Sequence, residues 1–220
     1  MRDLLLIPGW GFDERVWQPV AESLANDFRI GFDIDTGPDN AIVCGWSLGA
    51  MRVMELALRK PAAISRLVLV GATPRFVQAA DWNEAQPPRL LKDFAAAIAA
   101  DPRTALRRFA ALMNQSDAHA RELTRRMNTL LAERIPAAAT LDTGLTALRD
   151  IDLRASVSAI HQPTLVVHGE RDPLMPLAAS RWLAQHLPRA RIEVFEGAAH
   201  APFLSQTERF VAMLRRFADE

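Results

Sequence analysis

Ala41-Ile42-Val43-Cys44-Gly45-Trp46-Ser47-Leu48-Gly49 is the stretch whose reading decides the fold. Its first four residues are a continuous apolar run, the pattern of a strand buried on both faces of a parallel sheet. From Leu48 to Arg59 the apolar residues recur at helical spacing. Between strand and helix stands Gly-x-Ser-x-Gly, a turn so sharp that Cβ atoms beside the serine would clash. The turn holds Ser47 in a strained conformation, and the helix behind it presents free N–H groups where an oxyanion would form. Taken together, these features predict a nucleophile. A Gly-Ser turn without chemistry is the alternative reading of the motif by itself.

Working outward, strands are predicted at Asp3–Ile7, Arg29–Asp33, Ala41–Cys44, Arg66–Val70, Thr164–His168 and Arg191–Phe195. Helical patterns lie between them at Val16–Asn26, Leu48–Arg59, Ala178–His186 and Gln206–Phe217. Strand-then-helix alternation predicts an α/β fold with a mostly parallel sheet. From Phe76 to Ile160 the rhythm changes to Ala, Leu and Arg at helical spacing, punctuated by Pro87-Pro88, Asp101-Pro102 and Pro136. The expected organisation is a core of residues 1–75 and 161–220 carrying an inserted α-helical lid, 76–160. One link is unusually short: only Ile34–Asn40 separates the second and third predicted strands. Crossing two strand spacings and returning along the strand needs roughly 19 Å, and eight extended steps reach about 26 Å. That leaves no room for a helix, so either one sheet face is thinly covered or Arg29–Asp33 is not a regular strand.

A serine hydroxyl is a weak nucleophile and needs a base and an orienting acid. Behind a nucleophile elbow the chain order is Ser, then Asp or Glu, then His. Asp172, in His168-Gly169-Glu170-Arg171-Asp172-Pro173, and His200, in Gly197-Ala198-Ala199-His200-Ala201, both follow predicted strands. They therefore sit at C-terminal strand ends, where parallel sheets form ligand crevices. Glu170 is the competing acid. His119, His161, His168 and His186 read as structural or solvated. Pro8-Gly9-Trp10-Gly11, after the first strand, can aim the Trp10 backbone N–H at the same point as that of Leu48, completing an oxyanion hole.

The 220 residues carry 26 Lys and Arg against 26 Asp and Glu, so no global field draws the chain to nucleic acid or membrane. Cys44 has no intramolecular partner for a disulfide, and no cluster has the spacing of metal ligands. The apolar start is too short for a signal peptide or a membrane span, so a cytoplasmic, reducing setting is the expectation.

With these residues in hand, the chain resembles the pimeloyl-[acyl-carrier protein] methyl ester esterases of biotin synthesis, within the α/β-hydrolase superfamily. The resemblance is carried by Leu5-Leu6-Ile7-Pro8-Gly9-Trp10-Gly11, Gly45-Trp46-Ser47-Leu48-Gly49, Asp150-Ile151-Asp152-Leu153-Arg154 and Ala198-Ala199-His200-Ala201-Pro202-Phe203. It implies a nucleophile at Ser47, an acid at Asp172, a base at His200 and oxyanion donors at Trp10 and Leu48. It implies no metal or organic cofactor, and a partner: an acyl carrier protein bearing a methyl-pimeloyl chain.

The family docks its carrier through lid arginines, which implies Arg108, Arg121 and Arg125, with Arg103 and Arg107 flanking Thr104 at a fourth position. Independently, Arg121 and Arg125 share a helical face. Residues 103–134 hold seven arginines against Asp117, Glu122 and Glu133. A solvated arginine-rich surface is the plainer reading of the same residues. Trp10, Trp46, Phe109, Leu174 and Met175 are candidates for the wall of an acyl pocket, or plain core. The chain departs from the family at Pro8 and Ala50, and it lacks the N-terminal hairpin and the helix between the family's fourth and fifth strands, here Arg29–Asp33 and Ala41–Cys44. A broad short-chain esterase or thioesterase, another reaction on this fold, and a non-catalytic binding protein stay open as alternatives.

Overall fold

The computed structural model describes every residue from Met1 to Glu220. The chain runs through β1 (Arg2–Ile7), α1 (Gln18–Leu24), β2 (Phe28–Gly31), β3 (Ala41–Trp46), α2 (Leu48–Arg59) and β4 (Ile64–Val70). Four helices follow, α3 (Pro88–Ala100), α4 (Pro102–Asn114), α5 (Ala120–Glu133) and α6 (Ala138–Asp150). The sheet then resumes with β5 (Thr164–Gly169), α7 (Leu177–His186), β6 (Ala190–Phe195), α8 (Pro202–Ser205) and α9 (Thr207–Asp219). The six strands make one sheet in the order β2-β1-β3-β4-β5-β6, and every pair is parallel. This is an α/β-hydrolase architecture with a helical insert. Every residue of β3 and β5 is buried, as central parallel strands covered on both faces must be.

Local chemistry explains where element ends differ from expectation. The helix expected at Val16–Asn26 is a 3-10 turn, Glu14–Trp17, followed by α1, whose first turn holds Pro19. Proline lacks the N–H an interior position needs and is tolerated at a helix start. The helix expected at Gln206–Phe217 is preceded by α8 and a break at Gln206 (φ −134°, ψ 59°).

The second strand spans Phe28–Gly31 rather than Arg29–Asp33, and it is regular, pairing Asp3 with Arg29 and Leu4 with Ile30. Residues 32–40 cross from β2 past β1 to β3 without forming a helix. The sheet is nevertheless covered there, because the loop itself packs onto β1. A Cβ at Gly37 would fall 2.4 Å from Leu5 Cδ1, and Leu5 is buried. The glycine lets the backbone take the place of the side chains a crossover helix would supply.

In the insert, Pro88 and Pro102 stand as first residues of α3 and α4, and Asp101 caps α4 by accepting the Thr104 N–H at 3.1 Å. The chain leaves and re-enters the core through a bonded neck. The Leu153 N–H donates to Pro74 O at 2.9 Å, and Arg75 pairs with Asp152 at 2.7 Å. Hydrogen bonds from Arg154, and then from Arg75, hold the Asp152 carboxyl well below the usual carboxylate range against the opposing effect of burial. No helix is long and apolar enough to cross a membrane.

Candidate active site

Ser47 stands between β3 and α2 with φ 57° and ψ −120°, a strained backbone for a side chain that carries a Cβ. The elbow closes only because its flanks are bare. A Cβ at Gly45 would lie 2.6 Å from Gly49 O, and one at Gly49 would lie 2.5 Å from Pro8 O. The second contact brings the turn after β1 against the elbow, and Gly9 sits where a Cβ would be 3.1 Å from Ser47 Cβ. Trp10 is the next residue, so its backbone lies beside Ser47. Leu48 opens α2, and the N–H groups of Leu48 and Gly49, at its very start, have no acceptor within the helix.

His200 is buried behind the elbow. Its Nδ1 lies 2.7 Å from Asp172 Oδ2, and both side chains are fully excluded from solvent. The other carboxylate oxygen accepts the N–H groups of Leu174 (2.8 Å) and Met175 (2.9 Å). Burial pushes the Asp172 carboxyl up, but the adjacent His200 and His168 and the backbone bond outweigh it, leaving it below the usual range. His200 Nε2 is buried and has no hydrogen-bond partner within the protein. Strand ends place this histidine near the elbow. The Ser47 N–H donates to Val70 O at 2.9 Å, and the next residue, Gly71, leaves room for the imidazole where a Cβ would lie 3.1 Å from it. Glu170, the competing acid, is directed elsewhere: its Oε2 accepts the Gly197 N–H at 3.0 Å.

Around Ser47 lies a small apolar pocket of about 10 Å³, lined by Trp10, Phe76, Leu91, Phe94, Phe109, Leu145, Leu148 and Leu174. Three of the expected wall residues are therefore here, Trp10, Phe109 and Leu174. Trp46 and Met175 are not. Trp46 lies beneath the elbow, donating from Nε1 to His200 O at 2.8 Å and packing edge-on to Phe203. Met175 contributes its backbone, its N–H to Asp172 and its carbonyl to His168. Of the residues not anticipated, Phe76 precedes the insert's helices, and Leu91, Phe94, Leu145 and Leu148 stand at i,i+3 spacing on α3 and α6. That spacing marks a buried face but not what the face covers. Trp10 packs edge-on to Phe109 at 4.9 Å, and α6 approaches it closely because Gly144 has no Cβ.

His168 is buried 3.7 Å from Asp172 Oδ2. Its Nε2–H donates to Met175 O at 2.9 Å and its Nδ1 lies 2.7 Å from the Ser180 hydroxyl, so the ring braces the loop that carries the acid. Burial holds His168 below the ordinary histidine range, and the ring is neutral in the folded chain. The unfolded chain takes up that proton near pH ~6.5 while the folded one does not, so stability is full above this pH and falls on acidification. Denaturant unfolding at a series of pH values is expected to show this loss setting in as the pH falls below about 6.5. His168→Asn should flatten it; an unchanged slope in that variant would refute the assignment.

Of the docking candidates, Arg107, Arg121 and Arg125 line one open groove of about 830 Å³ between α4 and α5, with Thr124, Asn128, Thr129 and Glu133. Arg103 is exposed and extends toward Leu131 O across the helix pair, and Arg108 is exposed outside the groove.

A strained serine after a central strand, a buried His–Asp pair on later strand ends and a helical insert over the apolar pocket define an α/β hydrolase. The chain matches the family model described as alpha/beta hydrolase fold over residues 35–207. It belongs, within that fold, to the pimeloyl-[acyl-carrier protein] methyl ester esterase family. A relative of that name from Nitrosomonas europaea is 37% identical, the match covering 96% of this chain and 93% of the relative. Another, from Aromatoleum aromaticum, is 38% identical over 94% of each. Among solved structures, an esterase from Exiguobacterium antarcticum superimposes with a TM-score of 0.88 at 21% identity, covering 100% of this chain and 92% of that one. At that identity the likeness speaks for the fold.

Proposed function

We propose that the protein is a serine carboxylesterase that hydrolyses the methyl ester of pimeloyl-[acyl-carrier protein], freeing the terminal carboxylate for biotin synthesis. The observation that carries this reading is the buried His200–Asp172 pair, whose imidazole keeps Nε2 unpartnered behind a strained serine. In the proposed reaction Ser47 Oγ attacks the ester carbonyl and His200 accepts its proton at Nε2. Asp172 holds the ring with Nδ1–H toward its carboxylate and stabilises the imidazolium. The N–H groups of Trp10 and Leu48 receive the oxyanion, each worth about 10²–10³ in rate. His200 returns the proton to the departing methanol. Water then attacks the acyl-serine through the same base and releases the acid. The scheme uses no metal or organic cofactor.

The apolar pocket is too small for an acyl chain, since ligand sites commonly exceed about 300 Å³. We infer that the lid spans 76–160 and that α3 and α6 draw away from Ser47 to admit the chain. We also infer that the loop 32–40 stands in for the crossover helix of the family. The carrier, an acidic protein with a phosphate-linked arm, docks on the arginine side of the lid, where Arg107, Arg121 and Arg125 converge and Arg103 and Arg108 flank them.

The test compares carrier-bound with free methyl pimelate. Replacing Arg121 and Arg125 by Glu is expected to raise KM for the carrier-bound ester at least about tenfold and weaken its salt dependence. The free ester should change less than about twofold, because these side chains touch only the carrier. Equal effects on both esters would favour a general short-chain esterase.

A further inference from the structure

The turn between α4 and α5 is bonded directly to the loop that carries His200. Asp117 in that turn is 7% exposed and uses both carboxylate oxygens. Oδ1 accepts the His119 N–H at 2.8 Å and the Ser205 hydroxyl at 2.7 Å, and Oδ2 accepts the Ala199 N–H at 2.7 Å. Beside it the Ala118 N–H donates to Gly197 O at 3.0 Å, and the His200 N–H reaches Met113 O at 3.3 Å. From the opposite side β5 and its following turn hold the same loop. The Arg171 N–H donates to Ala198 O at 2.9 Å, and Gly169 packs so closely that a Cβ would fall 1.8 Å from Ala199 O.

The only hydrogen bond the His200 side chain makes is to Asp172, through Nδ1. Where Nε2 points is therefore set by that bond together with the backbone of Ala199 and His200, and Asp117 grips that backbone from the insert. We propose that Asp117 is a positioning residue for the reaction: it clamps the Ala199–His200 backbone so that His200 Nε2 faces Ser47. A carboxylate suits the task because a charge-assisted bond to a backbone N–H is shorter and stronger than a neutral one. The plainer role of an aspartate in a turn is to accept the N–H two residues on, and that accounts for the His119 bond alone. The bonds to Ala199 and Ser205 reach from the insert into the core. They give the lid a pinned end at the α4–α5 turn, opposite the pocket-covering side chains of α3 and α6.

The inference rests on His200 being the general base. That reading fails separately if His200→Ala keeps its activity. With a free methyl or p-nitrophenyl ester, Asp117→Ala is expected to lower kcat by about 10²-fold, because misplacement of a catalytic group by ~1 Å costs that much. KM should stay within about threefold, since Asp117 lies outside the pocket. The far-downfield proton resonance of His200 Nδ1–H should broaden or shift. Asp117→Asn keeps an acceptor for the Ala199 N–H and should recover most of the activity. Ser205→Ala, which leaves that bond intact, should retain full activity.

A kcat for Asp117→Ala within about threefold of the parent, with only a lower Tm, would reduce Asp117 to a turn cap and overturn the proposal. So would a raised KM at unchanged kcat. If Asp117→Ala fails to fold, Asp117→Glu carries the test. It keeps the charge but lengthens the clamp by one methylene, and parent-like kcat in that variant would overturn the proposal as well.

Discussion

Ser47→Ala is expected to lower kcat for ester hydrolysis by about 10⁶-fold while leaving Tm essentially unchanged. The size of the loss follows from the way the site is built. His200 and Asp172 are buried together, and bare glycines at 45 and 49 let the elbow hold Ser47 in its strained turn. In the proposed reaction, removing the Ser47 hydroxyl leaves His200 with nothing to deprotonate. What remains is the catalysis that oxyanion donors and binding supply alone, roughly 10³–10⁴ over water. The measurement is steady-state hydrolysis of a small ester, with fluorophosphonate labelling of the parent and the variant. Labelling that persists in Ser47→Ala, or an activity loss below about tenfold, would reject the nucleophile assignment and with it the esterase reading.

Asp172→Asn is expected to cost about 10⁴-fold in kcat, because an amide facing Nδ1 favours the wrong imidazole tautomer. The loss should be nearly as severe on free ester as on carrier-bound ester, since the defect lies in proton transfer. Glu170→Gln is the control. Its carboxylate bonds the Gly197 N–H, and the amide oxygen of glutamine can keep that bond. Its kcat should stay within about threefold of the parent. The reverse ranking would move the acid from Asp172 to Glu170, a choice the chain order Ser-acid-His does not make.

The geometric difference between these two acids illustrates how far a sequence pattern reaches. Both follow β5 within three residues, and the sequence favours Asp172 only in that Glu170 leaves the strand end earlier. In the fold, the turn after β5 directs Asp172 inward, where the Leu174 and Met175 N–H groups fix one oxygen and His200 the other. Glu170 points instead along the outside of the His200 loop. The same limit applies to Trp46 and Phe109. Each is an aromatic beside a motif residue, yet Trp46 is turned under the elbow and Phe109 into the pocket.

The six strands, the elbow and the inserted helices were legible because each rests on local rules. A buried parallel strand needs an unbroken apolar run, a helix needs its period, and a strained serine turn needs bare neighbours. Those rules act over a few residues, so one chain read alone carries them. The loop 32–40 tests the boundary. Its length excluded a helix, but the coverage of β1 by Gly37 is a contact between residues more than thirty positions apart.

What only the tertiary structure decided has that same long-range character. Asp117 is one acid among three in an arginine-rich stretch, and its two oxygens meet Ala199 and Ser205 only because the insert folds back onto the core. His168 reads as the end of a strand until α7 brings Ser180 against it. The sequence by itself determined that a serine is projected from a parallel sheet, with an acid and a histidine on later strand ends. Packing decided which carboxylate meets His200, which side chains line the pocket and which acid bonds the Ala199 N–H, because those depend on side-chain direction in three dimensions, which spacing along the chain does not encode.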